Sequence, residues 1–239
     1  MKNLHREAFQ LKETQCTIIS DKQEAINAAI ESIKRNRNEL EEYGKVHPKF
    51  LWTLTPVPVP REPLVAKLMA EAAEKAGVGP MAAVAGVLAD LAVKDMLRGG
   101  CEVAVVENGG EVSAVSNVPI DVAVAAGDEP LSKRFGFRLT EFPIGVATSS
   151  GRFSHALSFG DAEAATVFCR DAGLADAAAT AVGNVVKGDD CQKAIQAGIN
   201  KALSIQGVEG VLIIYKGLTG TAGKIPEIIR VSLFPHKSF

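Results

Sequence analysis

Apolar and polar positions divide the chain into a helical first part and a strand-rich second part. Between Ser20 and Tyr43, Ala25, Ile26, Ala29, Ile30 and Ile33 recur three and four residues apart, the spacing of one face of an α-helix, and Ser20-Asp21 with Glu24 forms a plausible start. The same period predicts helices over Leu64–Ala76, Pro80–Leu97, Leu174–Lys187 and Cys191–Leu203. Strand signals lie elsewhere. Phe9–Ile19 mixes alternating and β-branched residues and predicts a first strand, and CEVAVVENGGEVSAV reads as a hairpin with Val103–Val106 and Val112–Val115 flanking a turn at Asn108-Gly109-Gly110. Further strands are expected at Pro119–Ala126, Phe135–Thr140, Pro143–Ala147, Val211–Tyr215 and Ile228–Leu233.

Two segments break this pattern. Pro56, Pro58, Pro60 and Pro63 predict an extended, proline-stiffened connection over Phe50–Pro63, and GLTGTAGKIP reads as a glycine-punctuated hairpin connection. Strands and helices do not alternate as βαβ units, so the fold class is α+β, with strands paired mainly antiparallel and helices packed on them. Neither G-x-G-x-x-G after a strand nor G-x-x-x-x-G-K-[ST] occurs, which sets aside the ordinary dinucleotide and P-loop folds.

Composition narrows the function classes. The chain has 239 residues, 47% of them hydrophobic and 23% charged, enough for a sizeable core. A net charge of -2 offers no electrostatic case for nucleic acid. No apolar run reaches the length of a membrane span, and MKNLHREAFQLKETQ has no apolar secretory region, so a soluble, cytoplasmic protein is expected. Cys16, Cys101, Cys169 and Cys191 are scattered without C-x-x-C spacing, which predicts reduced thiols rather than a zinc site.

Candidate chemistry concentrates between Pro143 and Lys187. An apolar run ends in Thr148-Ser149-Ser150-Gly151, where hydroxyls and close backbone N–H groups can receive an anion. Asp176 and Thr180, four apart on the alanine-rich Leu174–Lys187 helix, share one face. They suit a hard cation such as magnesium; alternatively Asp176 is an N-cap-like residue and Thr180 packs. His155 can donate to a phosphate oxygen or protonate a leaving group, or it is a histidine without a task. Glu107 and Asn108 precede two glycines, so a ligand can approach bare backbone there. Trp52, the only tryptophan, can stack on a ligand ring, though such a residue more often covers an edge of the core. Lys224 can serve an anion.

Three pieces, in order, carry a resemblance: Ala85-Gly86 in a small-residue helix, Glu107-Asn108-Gly109-Gly110-Glu111 in the hairpin, and Thr148-Ser149-Ser150-Gly151 leading to His155 and Ala175-Asp176-Ala177-Ala178-Ala179-Thr180. Together they resemble the ApbE superfamily, whose best-known members are magnesium-dependent FAD:protein FMN transferases. The resemblance spans Pro80 to Val186 and implies a single domain over the whole chain, with residues 1–60 as an N-terminal strand, helix and proline-rich connection. It implies that Asp176, Thr180 and the Ala85 carbonyl hold magnesium. It further implies that Asn108, Gly109, Gly110, Thr148, Ser149, Ser150 and Gly151 line a flavin nucleotide such as FAD, with His155 as the catalytic candidate.

The chain departs from the transferase pattern at two places. Transferases have a lysine beside the helix glycine, where this chain reads Ala85-Gly86-Val87, and a longer H-I-I-D-P-x-T-G segment, where it reads His155-Ala156-Leu157-Ser158-Phe159-Gly160. The short cytoplasmic branch of the superfamily is the better likeness. Three functions follow from different classes. One is an enzyme that cleaves or transfers at a flavin diphosphate, with a protein as possible acceptor; another is a non-catalytic flavin or nucleotide binder. The third is a persulfide role for Cys101 or Cys169 in anaerobic sulfur assimilation, against which stands the commoner packed structural thiol.

Overall fold

A computed structural model describes residues 4–123, 135–150 and 161–230. Its centre is an eight-stranded sheet in the order β1-β2-β3-β4-β7-β8-β9-β10, with antiparallel pairing at every step. The strands are β1 (His5–Leu11), β2 (Thr14–Ser20), β3 (Val103–Asn108), β4 (Glu111–Ser116), β7 (Ile144–Ser149), β8 (Ala164–Cys169), β9 (Val208–Tyr215) and β10 (Leu218–Gly223). A second antiparallel sheet contains β5 (Ile120–Ala123), β6 (Phe135–Leu139) and β11 (Glu227–Arg230), in the order β11-β6-β5. The helices are α1 (Gln23–Val46), α2 (Pro48–Trp52), α3 (Leu64–Ala76), α4 (Val84–Arg98), α5 (Ala172–Val185) and α6 (Cys191–Ser204), and a single 3-10 turn, Pro80–Ala83, leads into α4. This is the α+β arrangement.

Alternation along the strands sorts the large sheet into two faces, because successive side chains point to opposite sides. Val103, Val105, Val112, Phe168 and Leu212 face the small sheet and pack with its Phe137 and Leu139. The opposite face carries helices: Val167, Val211 and Ile213 pack with α3, α5 and α6, while Ile18, Ala104 and Val106 pack with α1 and α4. The order is therefore helices, large sheet, small sheet. Among the described residues, no single helix is long and apolar enough to cross a membrane.

The structure departs from the sequence expectation at several places, and β8 is a strand that the expected set lacks. Phe9–Ile19 is not one strand: the chain reverses after Leu11, with Lys12 at a φ of 54°, and β1 pairs with β2 as a hairpin. Periodicity cannot mark such a reversal when no Gly or Pro occupies the turn. Residues 50–52, the start of the expected extended connection, belong instead to α2, with Pro48 tolerated in its first turn because its missing N–H is not needed there. Much of the expected glycine loop after Tyr215 is β10, hydrogen-bonded along β9, which shows that pairing outweighs the weak strand propensity of glycine. Trp52 covers no core edge; it is 79% exposed.

Candidate functional site

The candidate site forms where the start of α4, the first turns of α5, the β3–β4 turn and the end of β7 meet. Asn108 closes β3, and Gly109 and Gly110 follow with φ of 69° and 115°, left-handed values that a tight hairpin turn between right-twisted strands requires. The turn is tied down further by the Gly110 N–H, which donates to Glu107 Oε1 at 2.8 Å. Asn108 points to the helix side, where its buried side chain donates from Nδ2 to the Ala85 carbonyl at 3.0 Å.

The next peptide group along α4 completes the corner. The Gly86 N–H donates to Asp176 Oδ2 at 3.0 Å, although the two residues are 90 positions apart in sequence. Asp176 is thus a cap of α4, not of its own helix; α5 is capped by Asp171, which accepts from the Leu174 N–H at 2.8 Å. Thr180 follows Asp176 by about one turn on the same face and is likewise half-buried. Only glycine fits at position 86, because a Cβ there would overlap the Ala172 carbonyl of α5.

The corner is electrostatically unbalanced. Burial, joined by the charge of nearby Asp90, pushes the Asp176 carboxyl up to about 7 against the lowering effect of the Gly86 and Ala85 N–H groups. Glu111, the first residue of β4, is raised well above the usual carboxylate range by burial, then by the charge of Asp176 and that of Glu107. Among the described residues no ion pair reaches Asp176, Glu111 or Asp90. Lys224 does not supply the missing charge, since it pairs with Glu141.

Strand register places the threonine-serine segment beside this turn. Val112 pairs with Val146, so continuing the antiparallel register by two residues carries Thr148 to the level of Gly110. The two residues then part company. Ala147 belongs to the helix-side core and Val146 to the opposite one, so Ser149 faces the helices and Thr148 faces away, its hydroxyl 2.9 Å from that of Thr166 on β8. Ser150 is buried and its hydroxyl has no hydrogen-bond partner among the described residues. Asn108, Ala85, Asp176 and Ser149 therefore share the helix side, whereas the Thr148 side chain does not. His155 and Gly151 lie outside the described residues.

A family model described as "AbpE bacteria" matches residues 1–219. This chain is a member of that ApbE-like family. The match extends well beyond the segment from Pro80 to Val186 that carries the recognisable motifs. A UPF0280 protein of Methanococcus vannielii is 38% identical over 232 residues, covering 95% of this chain and 94% of the relative. One from Methanopyrus kandleri is 41% identical over 225 residues, covering 92% and 91% respectively. Among solved structures, the ApbE protein of Thermotoga maritima superposes with a TM-score of 0.56 at 15% identity, covering 95% of this chain and 97% of that one. The apo flavinyl transferase ApbE of Pseudomonas stutzeri gives 0.54 at 14% identity, covering 92% and 94%. At these identities the superpositions establish the fold.

Two acids that the sequence motifs assign no role belong to this corner. Glu111 follows the two turn glycines and shares the helix-side face of β4 with Ser113. Asp90 lies four residues beyond Gly86 on α4 and accepts hydrogen bonds from Ser113, Ala172 and Gly173. The available signal was a lone acid inside the apolar run from Ala82 to Val93. The thiol candidates sit differently. Cys101 and Cys169 are both buried, and burial raises each above the ordinary thiol value, which works against a reactive thiolate.

The residues fit a hard divalent cation by charge and donor type. The described residues hold no cluster of three or more His, Cys, Asp or Glu side chains suited to a metal ion. The available donors are instead a carboxylate, a hydroxyl and a backbone carbonyl, the oxygen set that magnesium accepts while it keeps several waters. Asp176 has Oδ2 engaged by Gly86. Its other oxygen and the Thr180 hydroxyl would hold the ion, with the Ala85 carbonyl, already an acceptor from Asn108, beside them, and Glu111 adds negative charge nearby.

Proposed function

We propose that this protein binds a flavin dinucleotide, or a closely related diphosphate, with magnesium at the α4–α5 corner and cleaves or transfers at the phosphate. The observation that carries the reading is the pair of half-buried carboxylates, Asp176 and Glu111, both raised by burial, Asp176 also by the charge of Asp90 and Glu111 by that of Asp176, and both lacking a basic partner among the described residues. A bound magnesium ion would neutralise this corner and the phosphoryl oxygens beside it.

The chain's own groups supply the remainder. Asn108 and Gly86 hold the Ala85 carbonyl and the Asp176 carboxylate in fixed positions. The turn at Gly109-Gly110 leaves backbone open to a close ligand, and Ser149 and Ser150, whose hydroxyl lacks a partner among the described residues, offer donors to phosphate. Cleavage would break one P–O bond of the diphosphate, passing the FMN phosphoryl to a protein hydroxyl or to water while AMP departs. His155 is assigned the proton transfer on sequence grounds. We also assign the chain a single ApbE-like domain and a reducing, cytoplasmic setting, supported by four free cysteines.

The test is direct. Purified protein is mixed with FAD, with and without magnesium, and both the visible spectrum and AMP release are followed. Magnesium-dependent binding with AMP release supports an enzyme, and binding without release supports the non-catalytic alternative. Absence of any magnesium-dependent interaction overturns the reading. His155→Ala should weaken binding or turnover with thermal stability nearly unchanged; lost stability with intact binding would make the histidine structural.

A further inference from the structure

Asp90 occupies an unusual place in this fold. A helix begins with N–H groups that have no acceptor within the helix, and α5 meets that need from two sources. Asp171 serves the Leu174 N–H through Oδ1 at 2.8 Å and the Ala175 N–H through its carbonyl at 3.3 Å. The first two N–H groups, those of Ala172 and Gly173, have no such local acceptor and are met by Asp90 of α4, through Oδ1 at 3.0 Å and Oδ2 at 2.9 Å. Ser113 of β4 donates to the same Oδ1 at 2.7 Å. One carboxylate therefore ties together α4, α5 and β4.

The connection is reciprocal. Asp90 of α4 receives the N-terminal N–H groups of α5, and Asp176 of α5 receives the Gly86 N–H at the start of α4. Two such attachments, about one turn apart along α5, fix both the separation of the helices and the rotation of α5 about its axis. The rotation matters because Asp176 and Thr180 project from one face of α5, so turning that helix moves both side chains relative to the start of α4, to which Asp176 is bonded.

We infer that Asp90 is a positioning residue: by seating the first turn of α5 on α4 and β4, it sets Asp176 and Thr180 against Ala85. It touches none of the proposed ligand groups by hydrogen bond. Its partners are the helix start and Ser113, and its effect on the site passes through the orientation of α5. The inference rests on the magnesium reading above, and its test separates the two.

The experiment measures Mn²⁺ binding to the full chain by calorimetry and by the EPR signal of the free ion, without nucleotide. Wild type is compared with Asp90→Asn, Ser113→Ala and Phe137→Leu. The last variant lies in the core on the other face of the large sheet and controls for a general loss of stability. Circular dichroism confirms that each is folded at the temperature used. Asp90→Asn replaces an acceptor with an amide N–H that opposes a backbone N–H, and is expected to weaken Mn²⁺ binding about tenfold, the low end of what losing a group bonded directly to a metal ligand costs. Ser113→Ala leaves the carboxylate in place and should weaken it less, and Phe137→Leu should lower thermal stability with affinity unchanged. Should Asp90→Asn fail to fold, Ser113→Ala carries the test. If wild type binds Mn²⁺ and the folded Asp90 and Ser113 variants bind equally well, the positioning role is wrong and the metal reading stands. If wild type does not bind the ion, both are wrong.

Discussion

The two faces of the eight-stranded sheet are packed by different means. On the small-sheet side, contact is made by bulk: Phe137 and Phe168 meet edge-on with ring centres 4.8 Å apart, and Leu139, Val103 and Leu212 are buried with them. On the helix side, near the start of α5, the side chains are mostly alanine and glycine, backbone lies close to backbone, and carboxylates take the places that large apolar groups would fill. A core of large side chains excludes water and leaves no polar group to serve a ligand. A joint made of small residues brings peptide N–H groups and buried acids within reach of each other, and its electrostatic cost is what a ligand can repay. The same sheet thus packs mainly large side chains on one face and, near the start of α5, small residues with buried acids on the other.

The sharpest way to break this comparison is to damage each face separately. Phe137→Ala should cost about 3–5 kcal/mol of stability, measured by denaturant unfolding, because it leaves a cavity in a fully buried layer. Ligand and metal affinity should hold at a temperature where the variant is folded. Gly86→Ala should cost less, about 1–3 kcal/mol, since α4 and α5 must separate to admit one methyl group. It should abolish metal binding, as the Gly86 N–H leaves Asp176. If Gly86→Ala kept full affinity, the close crossing would be irrelevant to the site.

A pH series sharpens the contrast, because the raised carboxyls belong to the helix side. Folding keeps Asp90 protonated to about 6 and Asp176 to about 7, above the ordinary aspartate value of 3.8, so the native state holds protons that the unfolded chain has released. Stability of the metal-free protein should therefore fall as pH rises from about 4 to about 7, and Glu111, also raised, adds to the fall. Asp121 and Glu41, lowered by Arg138 and Lys12 respectively, act in the other direction and at lower pH. Unfolding in urea with a chelator present, at pH 4.5 and 8, measures the difference, and Asp90→Asn should reduce it. A metal-free stability that rises over this interval would show that these carboxyls are not raised.

The smallest effect is expected at Trp52. Exposed as it is, Trp52→Ala should change stability by no more than about 0.5 kcal/mol in a thermal melt. A larger loss would mean that the aromatic surface is covered in solution.

Much of the architecture is legible in the chain because it is written in short-range periods. The interval Leu64–Ala76 alternates at helical spacing and is α3, and the Asn108-Gly109-Gly110 turn separates β3 from β4 as its residue types require. The reversal at Lys12 and the pairing of β10 escape that approach, since neither depends on residue type at the place where it occurs. Alternation in β7 already implies that Thr148 and Ser149 face opposite ways, although the motif presents them as a unit.

The candidate corner divides in the same manner. The sequence by itself determined which residues were available: the alanine-rich helix with Asp176 and Thr180 one turn apart, the glycine turn after Asn108, and Gly86 among small residues. Each is a local property of a few consecutive positions. Only the tertiary structure decided that Asp176 caps α4 instead of its own helix, that Glu111 lies within its field, and that Asp90 completes the start of α5. The hydrogen bonds among these relations join positions 82 to 90 residues apart. They depend on sheet register and on the distance at which two helices cross, quantities set by the packing of the whole chain, on which the identity of any one acid has little bearing.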